Sequence, residues 1–253
     1  MTKFLLLLLV PVAALGQAPR LRDAHSLAWL TYVGDHKIAP QWALHTEVQL
    51  RRVDLVRDPQ QELYRLGLVR TLGSRVKVSG GYTFFQSHRY GQYAETPGRV
   101  EPEHRLYEDV TLSDQLGRLG LSQRLRLEQR WLGTRDASGQ GPVQQYEYQN
   151  RIRYQLAVDF PLQGASIDDG EFYLNGFDEV FIGFGQNVGL NVFNQNRLSG
   201  GLGYQFAKNA KAELNYLYQV RAHATPDPAT NQPVVELNNG FRLNISYDLD
   251  FTQ

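Results

Sequence analysis

Arginine and glutamate recur at alternate positions in Arg124-Leu125-Arg126-Leu127-Glu128-Gln129-Arg130. Residues of the same two types stand in similar surroundings at Glu47, Arg51, Arg105, Arg151, Arg153, Glu179, Arg197, Glu213 and Arg242. A guanidinium is a rigid fork of N–H donors that fits carboxylate or phosphate two bonds at a time, so such rows suit anionic guests. The interleaved carboxylates, with Glu103 and Glu147 among them, offset much of the charge. Two uses follow for these residues as the lining of an enclosed space. One is a narrow conduit or binding site for small anionic solutes or lipid head groups. The other is a self-neutralised filling that keeps a small interior closed.

Other chemistry is thinly represented. None of the six histidines forms a His-x-Ser or HExxH pattern. His36, His88 and His223 fall in or near expected loops, where a solvated role is the default. His45 and His104 stand beside Glu47 and Glu103, and hydrogen bonding inside the fold is expected of them. Ser79, Ser122, Ser199 and Ser246 lie on expected strands with no histidine close in sequence. A barrel enzyme acting on lipid at the membrane edge is an alternative with no catalytic residue to name. Gly183-Phe184-Gly185 with Gly189 lacks the helix a dinucleotide loop needs, and Asp168-Asp169 reads as a polar turn rather than a calcium site. No cofactor and no metal are expected. Lys plus Arg equals Asp plus Glu at 26 each, which gives no global charge bias towards nucleic acid.

The elements that must position the arginines are legible from periodicity. Successive side chains of a strand point to opposite faces, so alternation of apolar and polar residues marks a strand with two different sides. The pattern holds over 42–52, 121–132, 145–160, 210–221 and 239–251, and in weaker form near 25–33, 61–71, 75–85, 103–113, 172–184 and 196–206. Short connections at 73–74, 114–117 and 207–210 alternate with long polar ones at 86–101, 133–143 and 222–237; the segment 161–170 departs from that plan. This predicts an all-β, antiparallel up-and-down transmembrane barrel of ten to twelve strands. An even count is expected because both ends of such a barrel normally lie on one side.

A soluble β-sandwich also alternates, but the strand at 145–160 is too long for one, and its aromatics gather near its ends. The negative mean hydropathy does not oppose a membrane location, because only alternate residues of a barrel strand meet lipid. Leu121, Leu125, Leu127 and Trp131 are therefore expected to face lipid, and Arg124, Arg126, Glu128 and Arg130 the lumen. Strands 119–132 and 145–160 should be antiparallel neighbours. A register whose paired numbers add to 279 sets Glu128 opposite Arg151 and relieves the row of arginines that the alternative at 277 would align.

The opening MTKFLLLLLVPVAALGQA reads as a signal peptide over residues 1–16, followed by a single domain over 17–253. Cysteine is absent, so neither a lipid-anchored cysteine nor a disulfide framework is available. The expected location is the bacterial outer membrane. Its lipids and small anionic solutes are the expected partners, with the barrel-assembly machinery during insertion and no nucleic acid.

With these residues in view, the chain resembles the bacterial outer-membrane proteins grouped as domain of unknown function 2490. The resemblance rests on Trp29, Glu103-His104-Arg105, the arginine run at 124–130, Arg151-Ile152-Arg153, Asp178-Glu179 and Phe193-Asn194-Gln195-Asn196-Arg197. It implies an outer-membrane β-barrel and brings no catalytic residues with it.

Overall fold

The computed structural model describes residues 20–95, 100–136, 138, 141–190 and 192–252; the expected signal peptide lies outside them. The elements are β1 (Leu21–Asp23), β2 (Ser26–Ala39), β3 (Trp42–Val53), β4 (Asp58–Leu72), β5 (Val76–His88), β6 (Val100–Leu116), β7 (Leu119–Thr134), β8 (Gln145–Pro161), β9 (Glu171–Phe184), β10 (Phe193–Ala207), β11 (Ala210–Ala222) and β12 (Val234–Tyr247). From β2 to β12 each strand pairs with the next in antiparallel fashion, and β12 then closes on β2.

That closure is parallel, and it corrects the expectation of an even count: eleven strands form the barrel, with β1 as a short extra. Closure needs only that both edge strands find partners for their backbone groups, and a slanted parallel ladder provides them as an antiparallel one does. The weakly alternating stretch near 25–33 is part of β2, which runs 14 residues. β1 extends the parallel ladder along the start of β12, pairing Leu21 with Val234 and Asp23 with Glu236. At the other end β12 stops at Tyr247, short of the expected 251. The tail then pairs with β2: Lys37 N–H donates to the Leu249 carbonyl at 2.8 Å, and Phe251 N–H to the Lys37 carbonyl at 2.9 Å. The odd count puts the start of β2 and the end of β12 at opposite mouths. The connections after β3, β5, β7, β9 and β11 leave from the mouth where β2 begins, and the turns at 40–41, 73–75, 117–118 and 208–209 share the other with the longer loop 162–170.

The two faces of the wall are inverted relative to a water-soluble protein. Leu66, Leu125 and Leu214 are about half exposed on the outside, whereas Arg126, Glu128 and Asn215 are at most 3% exposed inside. Aromatics collect on the outer face near both mouths. Trp131 packs on Tyr148 at 5.3 Å by the long loops, and Tyr204 lies 4.7 Å from both Phe172 and Phe206 by the short turns. No helix among the described residues is long and apolar enough to cross a membrane, which says nothing of strands.

The interior is filled unevenly. Beside the parallel seam, Leu27, Trp29, Val53 and Leu217 form a buried apolar cluster against which Tyr90 and Phe177 pack. Two inward rings, Tyr107 and Tyr173, lie flat on the wall because glycine stands opposite them; a Cβ at Gly67 or Gly203 would run into the ring. The remaining interior is polar and holds the arginines.

Candidate functional site: an arginine-rich lumen

A cavity of about 690 Å³ runs inside the barrel, from Glu95, Glu101 and Thr134 near the long-loop mouth to His45, Asp159 and Lys211 near the short-turn mouth. Glu47, Arg51, Arg105, Arg124, Arg126, Arg130, Arg151, Arg153, Glu179, Arg197, Glu213 and Arg242 all line it. Glu128 also points inward but lies beneath the lining arginines, 1% exposed. Strand alternation brings them there: each occupies the parity of its strand opposite to the outward leucines.

Most of these cations are neutralised by specific carboxylates. Glu103 receives Arg105 through Nε at 2.6 Å and Nη2 at 2.8 Å, and Arg130 through Nε at 2.5 Å and Nη2 at 3.1 Å. Glu128 stands opposite Arg151 in the 279 register and accepts its Nε and Nη2 at 2.8 and 2.6 Å; Arg153 Nη1 reaches its other oxygen at 2.8 Å. Arg153 also bonds Glu179 at 2.7 Å, where Arg124 joins at 2.9 Å. Arg126 is held by Asp109 at 2.7 Å through Nε, and Arg65 by Glu47. Buried guanidiniums need such partners, because an uncompensated charge away from water costs several kcal/mol.

Arg65 and Asp109 were missing from the sequence-derived set. The available signal was parity, since both share the side of their strands with residues that are inward: Leu63 on β4 and Arg105 on β6. Aromatic rings back the cations in a way the sequence did not announce. Arg105 lies 4.0 Å from the Phe85 ring centre, Arg153 4.4 Å from that of Phe181, and Arg51 4.2 Å from that of Trp29. Such stacking favours a guanidinium over an ammonium at these positions.

The histidines are distributed differently from the expectation. His36 and His223 are buried: His36 bonds Thr46 at 2.8 Å, and His223 bonds Glu236 at 2.7 Å. His45 is inward, 2.7 Å from Asp35 and 3.7 Å from Glu47. His104 is on the outer face among Tyr82, Phe84 and Tyr146, not with the interior carboxylates. Its even number sets it opposite Glu103 and Arg105, so adjacency to a glutamate in sequence put it on the other side of the wall. Ser79 donates to Asp109, and Ser246 accepts from Asn244; neither bond involves a histidine. Among the described residues no cluster of His, Asp and Glu could hold a metal ion.

The loop after β5 folds over the long-loop mouth. The Tyr90 hydroxyl donates to Glu236 at 2.9 Å, Glu95 pairs with Arg221, and Ala224 N–H donates to Glu95 at 2.6 Å. Glu236 also receives Arg221 at 3.1 Å and Asn238 at 2.8 Å. Burial, reinforced by the Glu236 carboxylate, pushes the Tyr90 phenol well above its ordinary value, so it remains a hydrogen-bond donor. The segment after β5 is thus tied to the ends of β11 and β12 at this opening.

The family described as protein of unknown function (DUF2490) matches residues 27–230, and the chain belongs to that family. No curated protein and no solved structure matches it.

Proposed function

We propose that the protein is an outer-membrane barrel whose arginine-rich lumen admits and holds small anionic solutes. The observation that carries this reading is the inverted wall: a continuous outward set of leucines and aromatics around a cavity lined by guanidiniums. A belt of exposed apolar side chains this extensive is costly in water and matches the hydrocarbon of a bilayer, with aromatics at the two interfaces. Arginines in a poorly hydrated space attract anions and repel cations, subject to the carboxylates that hold them. The expected export signal agrees with this location.

A closed structural barrel is the second reading, favoured by the Tyr90–Glu95 loop and the apolar cluster inside the seam. Membrane fractionation and heat-dependent gel mobility test the location; recovery as a soluble periplasmic monomer overturns it. Planar bilayers test the lumen. Anion-selective current that shifts towards cations when Arg126 and Arg153 are both replaced by Glu supports the first reading. An inserted barrel that passes no ions in either form supports the second.

A further inference from the structure

One corner of the lumen carries cations with no carboxylate in close contact. Among the described residues Arg51 and Arg242 form no ion pair, and Arg197 has only Glu179, at 3.8 Å. Arg51 is held by neutral amides, Gln49 at 2.9 Å from Nε and Gln61 at 2.6 Å from Nη1. Once the Gln195 amide is turned to face it, Arg197 donates to that carbonyl at 2.6 and 2.8 Å. Arg242 Nε is buried with no hydrogen-bond partner.

The parallel seam sets their strands side by side, with the Arg242 guanidinium 5.3 Å from the centre of the Phe177 ring, which packs against the Trp29 cluster. Trp29 on β2 is paired in register with Arg242 on one side and with Arg51 on the other. The guanidinium carbons of Arg51 and Arg197 lie 4.2 and 5.0 Å from the centre of the same Trp29 ring. Trp29 is 5% exposed, lines the cavity and has an unpartnered Nε1–H. Thr31, the next inward residue of β2, is 3% exposed, lines the cavity and has an unpartnered hydroxyl. Buried unpartnered donors beside loosely paired cations, with adjoining space, suit an anion.

We propose that this seam-side corner is a binding site for a phosphate group, with Arg51, Arg197, Arg242 and the Trp29 indole N–H as its donors. A carboxylate has two oxygens in one plane and suits a single guanidinium fork. Three guanidiniums on β3, β10 and β12 suit a tetrahedral anion with oxygens pointing in several directions and close to two negative charges. The phosphate can be free or the phosphomonoester of a lipid head group. The site rests on the anion-admitting reading of the lumen and gives that reading a location and a ligand class.

The test uses the mature protein in detergent with Trp42→Phe and Trp131→Phe, which leaves Trp29 as its tryptophan reporter. Inorganic phosphate is titrated while Trp29 emission is followed, with heat-shifted gel mobility as the check on folding. A saturable response is expected. Arg242→Gln and Arg51→Gln should each weaken it at least about tenfold, as expected for a lost charge-assisted bond. Arg130→Gln, which touches a cation already satisfied by Glu103, should change it by no more than about twofold. No saturable response in the folded protein, or equal losses in Arg130→Gln and Arg242→Gln, overturns the site. If phosphate fails to bind while anion-selective current persists, the site falls and the broader function stands; if both fail, both fall. Reconstitution in phosphatidylcholine vesicles with and without phosphatidic acid then identifies the source. Suppression of the phosphate response by phosphatidic acid supports a lipid phosphomonoester as occupant, and an unchanged response supports free phosphate.

Discussion

Fifteen consecutive residues of β7 pair with β8 in one unbroken antiparallel register, whereas β12 and β2 share eight paired positions in parallel. Inside the first wall, Glu128 is clasped by Arg151 and Arg153. Inside the seam, Arg242 sits beside Trp29 with no carboxylate in salt-bridge range. The outer faces of both are leucine-rich and alike. The difference lies in how partners are found. A hairpin sets neighbours that are also near in sequence, so its charges can complement one another across a local register. A seam joins strands some 200 positions apart, its register is imposed by closure of the whole barrel, and its cations are left to other partners.

The largest expected effect comes from breaking the saturated side. Glu128→Ala removes the carboxylate beneath two buried guanidiniums and leaves Arg151 with Asn194 alone, at 2.9 Å. Loss of one partner of a buried ion pair costs about 3–5 kcal/mol. Arg242→Gln at the seam leaves no carboxylate stranded and should cost under about 1 kcal/mol. Reversible unfolding from lipid vesicles in urea measures both. Similar costs at the two positions would erase the distinction between saturated wall and unsaturated seam.

The outer faces should answer alike. Leu127→Arg on β7 and Leu243→Arg on β12 each place a cation on the apolar side and should cost about 2–4 kcal/mol if they lie near the bilayer midplane. Gln129→Arg, nearer an interface, should cost less. A large penalty at Leu127 with none at Leu243 in the same vesicle assay would mean that the seam does not face lipid.

Backbone packing separates the two regions again, at a smaller scale. A Cβ at Gly240 on β12 would collide with the Leu27 backbone across the seam, whereas one at Gly120 on β7 meets only ordinary contacts near Asp159. Gly240→Ala should therefore destabilise by about 1–3 kcal/mol, as overpacking does, while Gly120→Ala stays within about 0.5 kcal/mol. Equal urea midpoints for the two variants would show that the parallel strands have room to part.

This contrast also explains what could be read in advance. The RLRLEQR run carried its own register, because the observed pairing sets Glu128 opposite Arg151 and leaves one arginine pair aligned, Arg126 with Arg153, where the alternative aligns two. The parallel closure had no such signal. Nothing local in 26–33 or 239–246 marks them as partners, and an even count is the usual result for chains that enter and leave a barrel on one side. Arg65 and Asp109 lay on strands whose alternation was weak, so their parity was not followed through. His223 is a loop residue as expected, but its bond to Glu236 buries it, and the loop holding Tyr90 against that same glutamate is a tertiary contact with no sequence period.

The smallest effect sharpens the end of the seam, where the tail after β12 pairs with β2. Asp250 is exposed there and accepts from Thr252, whose backbone N–H lies at 2.9 Å, and from Lys37 Nζ at 3.0 Å. Those bonds, Thr252 hydroxyl first and Lys37 next, hold its carboxyl at about 2, below its ordinary 3.8. A lowered folded value means that the carboxylate's contribution is fully present above 3.8 and is lost as pH falls through about 2. The Thr252 amide resonance should therefore titrate with a midpoint near the lower figure, while resonances of the β7–β8 wall stay still across that range. Asp250→Asn should loosen the tail and leave the urea midpoint of the barrel unchanged. A Thr252 midpoint at the ordinary carboxylate value would mean that the tail is not paired with Lys37 in solution, and that the seam ends at Tyr247.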